Sequence, residues 1–282
     1  MTRAGGARLA GARAALGAAC LAVTACGAAG AGDAERTVTV AGVREAPPPP
    51  RECPKLPSAP PPPKSVLDEP ELDKEIVGLV RDALACDWGR MGFVYDCEGI
   101  RRFTSAWEPF RDGKGQKTLL RMLEDPSEKV RSLAAMRLNY LFESKDPEDV
   151  RRVLAVAKRE KSAMVARDIG LVVGGIDVDA TKTIEPLREL AKDHELYELR
   201  VGLASRLLDK NPRSHDALLL TVELTHDKNA EVATAAVGNV AAAKGMYKDE
   251  VCAALADAVR TGQDRFVGTA VESLADVGCP AF

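Results

Sequence analysis

Apolar residues return along residues 114–278 with a spacing near 34. Each recurrence opens a stretch of small and aliphatic side chains, at Val130, Val165, Leu199, Val232 and Phe266, with intervals of 35, 34, 33 and 34. Four residues further on stand Ala134, Ile169, Leu203, Ala236 and Ala270, and eight further on Leu138, Val173, Leu207, Val240 and Leu274. Offsets of four and eight fall on one stripe of an α-helix, so each stretch predicts an amphipathic helix. The residues at offset five, Ala135, Gly170, Ala204, Val237 and Val271, are small enough to let neighbouring helices approach closely. Upstream of each stretch lies a second apolar-periodic segment, at 117–123, 148–157, 184–192, 215–225 and 249–259. The repeating unit is therefore a helical hairpin. Asp146-Pro147 and Asn211-Pro212 predict hairpin starts, a capping side chain followed by proline at the first helical position. Gly245 and Gly278 predict helix ends.

The first clear unit reads Asp125-Pro126-Ser127-Glu128-Lys129-Val130-Arg131, followed by Ala134, Ala135 and Leu138, and resembles the HEAT-repeat motif. That resemblance implies a ladder of charge-assisted hydrogen bonds between the Asp and Arg of successive repeats. Arg200 stands at the offset of Arg131, with Asp193 near the turn, but Ala166, Ala233 and Val267 interrupt the row. The period is shorter than the 40–47 residues usual for HEAT units and is closer to short HEAT-like variants such as the phycobilisome-lyase type. It equals the tetratricopeptide period, yet the Trp-x2-Leu-Gly-x2-Tyr signature is missing from all five units. The expected architecture is all-α: a right-handed α-solenoid of about five to six HEAT-like hairpins over residues 114–282. Ahead of it, residues 71–113 predict capping helices at 71–86 and 98–110 separated by an irregular loop. Six of the twelve aromatics fall between Trp88 and Phe110, so this end is chemically unlike the rest; a solenoid needs a terminal cap over its open core, and the alternative is a specialised binding head.

The N-terminal residues do not share this pattern. Arg3, Arg8 and Arg13 precede a run of about 12 small and apolar residues, the layout of an export signal, too short to cross a bilayer. The run closes on Val23-Thr24-Ala25-Cys26, which resembles the bacterial lipoprotein lipobox and implies cleavage after residue 25 and lipidation of Cys26. Cys20 lacks the aliphatic residue three positions earlier. Gly27 in place of an aspartate leans the expected location towards the outer membrane, facing the periplasm. Residues 26–65 then read as a disordered tether, with 10 of the 17 prolines in 47–63 predicting extended polyproline II.

Composition narrows the chemistry. The 282 residues carry a net charge of -3, and losing the three leader arginines makes the remainder more acidic, so nucleic acid is not an expected partner. Cys86 and Cys97 flank the loop of the cap, and Cys252 and Cys279 flank the last hairpin; in an exported chain both pairs predict disulfides. Cys53 is left over in the tether. No spacing matches a zinc site, and no phosphate loop, Gly-x-Ser-x-Gly elbow, His-Glu-x-x-His or dinucleotide fingerprint occurs. His194 and His226 fall in equivalent turns, and His215 lies between them. No cofactor, metal or catalytic residue is expected. The candidate binding residues lie on a row seven past each marker, Arg137, Arg206 and Asn239 among them, joined by Arg131 and Arg200 as a basic strip for a carboxylate-bearing partner. The expected function is non-enzymatic: a membrane-anchored solenoid that binds a protein or peptide of the envelope. The alternatives are a HEAT-like lyase or chaperone-like ligation factor, and a structural spacer without a discrete ligand.

Overall fold

The apolar stripes become helices almost throughout. A computed structural model describes residues 63–89, 92–93, 96–143, 145–261 and 264–280, all within one unit, Ala59–Phe282. Cys20, Cys26, Cys53, the signal segment and nearly all of the 26–65 tether lie outside the described residues. Among the described residues there are fourteen α-helices and one two-stranded ribbon, so the chain is all-α in class.

At the N-terminal end, a 3-10 turn at Val66–Asp68 leads to α1, Lys74–Leu84, whose first N–H groups are capped by Asp73. Helix α1 buries Ile76, Val77, Val80 and Ala83. The segment expected as an irregular loop contains a short antiparallel ribbon, β1 Trp88–Gly89 with β2 Gly92–Phe93. The single helix expected over 98–110 is two, α2 Glu98–Ser105 and α3 Glu108–Arg111. Pro109 is the reason, having no N–H to give the Ser105 carbonyl. The chain turns at Ala106-Trp107 and restarts with proline in the first turn. Cys86 and Cys97 lie at disulfide distance, with Cα atoms 5.9 Å apart, tying the exit of α1 to the cap of α2.

Ten further helices pack in consecutive pairs: α4 Gly113–Met122 with α5 Glu128–Leu141, α6 Pro147–Arg159 with α7 Ala163–Gly174, α9 Ile184–Asp193 with α10 Tyr197–Lys210, α11 His215–Thr225 with α12 Ala230–Val240, and α13 Lys248–Thr261 with α14 Asp264–Val277. A short α8, Val178–Thr181, sits between the second and third pairs. The second helices also pack on one another in the order α5, α7, α10, α12, α14. Every residue at offsets zero, four and eight from the markers is buried there. Burying an aliphatic side chain of that size contributes about 1.5–3 kcal/mol, so this stripe is the principal cohesive element.

Helices α7 and α10 approach most intimately. Gly170 lets the Leu199 carbonyl and the Gly202 backbone come against it, and Gly202 admits the Arg167 carbonyl; a Cβ at either position would strike backbone. At the other end, Val271 occupies the same offset as Gly170 but is 50% exposed, because no helix follows α14 among the described residues.

Cap residues fix the register of the pairs. Asp146 caps α6 by accepting the Glu148 N–H, with Pro147 in the first helical position. Asn211 does not start a helix as expected. It is the C-cap of α10, and α11 starts instead from Ser214. The buried Asn211 amide accepts the Val178 N–H at 3.1 Å and donates to the Ile176 carbonyl at 2.9 Å, binding α10 to the turn after α7. Helix α14 ends at Gly278, φ 68, with the Cys279 N–H returning to the Leu274 carbonyl at 3.1 Å. That turn brings Cys279 to Cys252 of α13, Cα atoms 5.6 Å apart, at disulfide distance.

Candidate functional site

The turns between paired helices use one position repeatedly. Five residues before the first four markers stand Asp125, Glu160, His194 and Asp227, and each accepts the backbone N–H two residues on: Ser127, Ser162 and Asn229 at 2.7 Å, and Leu196 at 3.2 Å through His194 Nδ1. The other side of each group reaches back along the chain. Asp125 accepts the Ser65 hydroxyl at 2.6 Å and the Val66 N–H at 2.8 Å. Glu160 takes a two-pronged pair from Arg131, at 2.8 and 2.9 Å, and Asp227 pairs with Arg200. Burial pushes the Glu160 carboxyl up, but Arg131 and the Ser162 N–H outweigh it and hold it below the usual carboxylate range.

An acid occupies this turn after an earlier unit only where that unit supplies an arginine. Ala166 and Ala233 stand at the places of Arg131 and Arg200, and the turns that follow them carry His194 and Thr261 rather than a carboxylate. A buried acid without its arginine would cost several kcal/mol. His194 meets the need uncharged: Nδ1 accepts from Leu196, so Nε2 carries the proton and donates to the Ala157 carbonyl at 2.9 Å. The partner of Arg200 is Asp227, in the turn of the following unit.

These contacts correct the expected basic strip. Arg131 and Arg200 are committed to Glu160 and Asp227. Arg137 is only 3% exposed and donates to the Phe103 and Ala106 carbonyls at the end of α2. Its guanidinium carbon lies 4.7, 4.9 and 5.2 Å from the ring centres of Phe110, Trp107 and Phe103. Desolvation there pushes its pKa down to about 10. Arg206 is half-buried beside Gly174, with a buried Nε. Asn239, buried, accepts the Leu208 N–H at 2.8 Å and donates to Asp209 at 2.9 Å. Four of the five, Arg131, Arg137, Arg200 and Asn239, fasten helices or turns together, so the five form no free row.

The open surface lies beside that row. A groove of about 960 Å³ runs across α5, α7 and α10. Met136 and Tyr140 of α5, Met164, Asp168 and Leu171 of α7, and Tyr197, Glu198 and Val201 of α10 line it, with Trp107 on the α5 side and Glu231 on the α12 side. Trp107 and Tyr140 are 44% and 63% exposed, their rings edge to face at 6.4 Å. Large aromatics left in water beside a concave surface are the commonest anchors of protein interfaces. Asp168 is half-buried in this groove, and burial raises its pKa from 3.8 to about 6 against a small opposing pull from Arg167.

Most of the groove lining falls at offsets minus two, minus one, two and six from the markers, and Asp168 at offset three, a row that the stripe of offsets four and eight does not include. That row reads Leu133, Asp168, Gly202, Ala235 and Thr269. A single ionisable side chain in a row otherwise uncharged was a legible signal. The histidines stay apart from the groove: His215 bonds Glu250 at 2.8 Å and His226 lies 3.2 Å from Asp257. Among the described residues no cluster of three or more His, Cys, Asp or Glu could hold a metal, and no helix is long and apolar enough to cross a membrane.

Fold and site together define an all-α protein of stacked helix pairs carrying an aromatic-rimmed groove with a half-buried carboxyl. No protein-family model and no curated protein matches this sequence.

Proposed function

We propose that this chain is a non-enzymatic, lipid-anchored scaffold of the bacterial cell envelope that binds a segment of a protein partner in the α5–α7–α10 groove. In this reading residues 114–282 form a right-handed HEAT-like solenoid of about five to six hairpins. The lipid on Cys26 and the proline-rich tether hold it near a membrane, the outer membrane facing the periplasm. The observation that carries the reading is the groove itself, bordered by solvent-exposed Trp107 and Tyr140. Its walls come from the second helices α5, α7 and α10, which pack on one another in that order and support a site for an extended segment. The size fits a few residues of bound chain rather than an enclosed small molecule.

Placing a photo-crosslinking phenylalanine analogue at Tyr140 tests this, with the exposed Arg151 of α6 as the control position. In intact cells the probe at 140 yields one discrete adduct that the probe at 151 does not. Equal adducts at both sites, or none at 140, overturn the proposal. Incorporation of labelled palmitate, lost in Cys26→Ser, tests the anchor independently.

A further inference from the structure

The groove contains a carboxylate that the fold does not pair. The Asp168 carboxylate has no hydrogen bond or ion pair with any other side chain among the described residues, and Arg167, its neighbour in sequence, is exposed. Elsewhere in the lining, the buried Oδ1 of Asn139 has no hydrogen-bond partner. Glu198 and Glu231 add negative charge on the α10 and α12 side. Their field is felt at Tyr197, whose hydroxyl they hold above its usual pKa. The other cation of the groove, Arg137, is occupied by two carbonyls and three aromatic rings. The Asp168 carboxylate and the Asn139 Oδ1 thus stay without a partner in a groove that Tyr140, Tyr197 and Trp107 line, while Arg167 lies exposed in the same lining and makes no ion pair with Asp168.

Buried acceptors are left without partners only at a cost, and that cost is recovered when a ligand brings the donor. The ligand is then a cation with several N–H groups. A guanidinium presents five donors in one plane, pairs with a carboxylate through two of them and lies flat on aromatic rings. An ammonium offers a compact, strongly hydrated charge and three donors. The aromatic rim and the pair of separated acceptors favour the planar group.

We infer that the partner segment seats an arginine side chain in this groove, its guanidinium paired with the Asp168 carboxylate among the rings of Tyr140 and Tyr197. This inference rests on the groove being the partner site. In the test, acetyl-tetraarginine amide, tetralysine amide and tetraglutamate amide are titrated into the full chain and followed by calorimetry. Tetraarginine binds at least tenfold more tightly than tetralysine, and tetraglutamate gives no heat. Asp168→Asn weakens tetraarginine about tenfold, whereas Glu185→Gln, the same charge change on the exposed face of α9, leaves it unchanged. Asp168→Ser serves the same purpose should the Asn variant not fold. Equal affinity for arginine and lysine, equal losses in the two variants, or no binding of tetraarginine overturns the inference. An adduct at position 140 that persists in those cases leaves the groove as partner site and removes only the arginine; its absence removes both.

Discussion

Two ionisable side chains lie along the same groove, Arg137 buried and Asp168 half-buried, and are treated in opposite ways. Arg137, on the α5 side, is surrounded by Phe103, Trp107 and Phe110 and gives its protons to two carbonyls at the end of α2. A helix C-terminus is the negative end of a dipole, and ring faces attract cations, so the charge is compensated without a carboxylate. Asp168, in the middle of the groove, has nothing comparable. The first group is a fastener between the capping helices and the first stacked pair. The second is a cost carried in the unliganded state, and such costs concentrate where a protein acts on something else.

The largest effect should come from breaking the compensated side. Arg137→Ala leaves the Phe103 and Ala106 carbonyls without their donor and opens a hole among three rings. The expected loss is about 3–4 kcal/mol in chemical denaturation, with the cap loosening first. Protection of amide hydrogens in α1 and α2 should fall before that of α7 and α10. A loss below about 1 kcal/mol would mean that Arg137 does not hold the cap, and the contrast with Asp168 would disappear.

A second, somewhat smaller effect sharpens the rule that buried charges here come in matched sets. Arg200→Ala strands Asp227, whose side chain is only 7% exposed, and should cost about 3 kcal/mol. Adding Asp227→Thr reproduces the uncharged turn already present at Ala233 and Thr261, and should restore at least half of that loss. If the double variant is no more stable than the single one, the pairing of Arg with the following acid is not what selects the turn residue.

The stacked pairs were legible in the sequence because they depend on one helical stripe, and helical stripes announce themselves by spacing alone. Val130, Ile169 and Leu207 could be placed in the core from their offsets, and Cys86 with Cys97, or Cys252 with Cys279, from the elements they flank. Tertiary partners were not legible. Arg137 belongs to the same row as Arg206 and Asn239, yet its environment is supplied by Phe103 and Phe110, in a cap that has no repeat to read across. Asn211 carried a valid start signal, but a buried amide between Val178 and Ile176 stabilises more than an N-cap exposed to water. Pro212 could not show which of these would prevail. Asp168 was visible as the odd member of its row; whether it meets an arginine, water or a groove depends on how α5 and α10 flank it, which no spacing encodes.

The smallest expected effect has the opposite sign and decides most about the contrast. A carboxyl whose pKa rises from 3.8 to about 6 on folding disfavours the folded state at neutral pH and ceases to do so once both states are protonated. The penalty is complete above about pH 6, shrinks as pH falls, and is gone below about pH 4. Each pH unit of that window corresponds to about 1.4 kcal/mol, and Asp168 is only half-buried, so a net penalty of about 1–2 kcal/mol is expected. Asp168→Asn should therefore be more stable than the natural chain by that amount at pH 7.5 and equal to it at pH 4. The comparison between the two curves cancels Glu160, whose lowered pKa makes the fold lose stability at more acid pH, below its ordinary value of 4.5. The gain should also vanish when saturating tetraarginine is present, since the ligand supplies the missing charge to the natural chain and not to the variant. An Asn variant less stable at every pH would show that Asp168 has a partner within the fold, and would place it with Arg137 as a fastener.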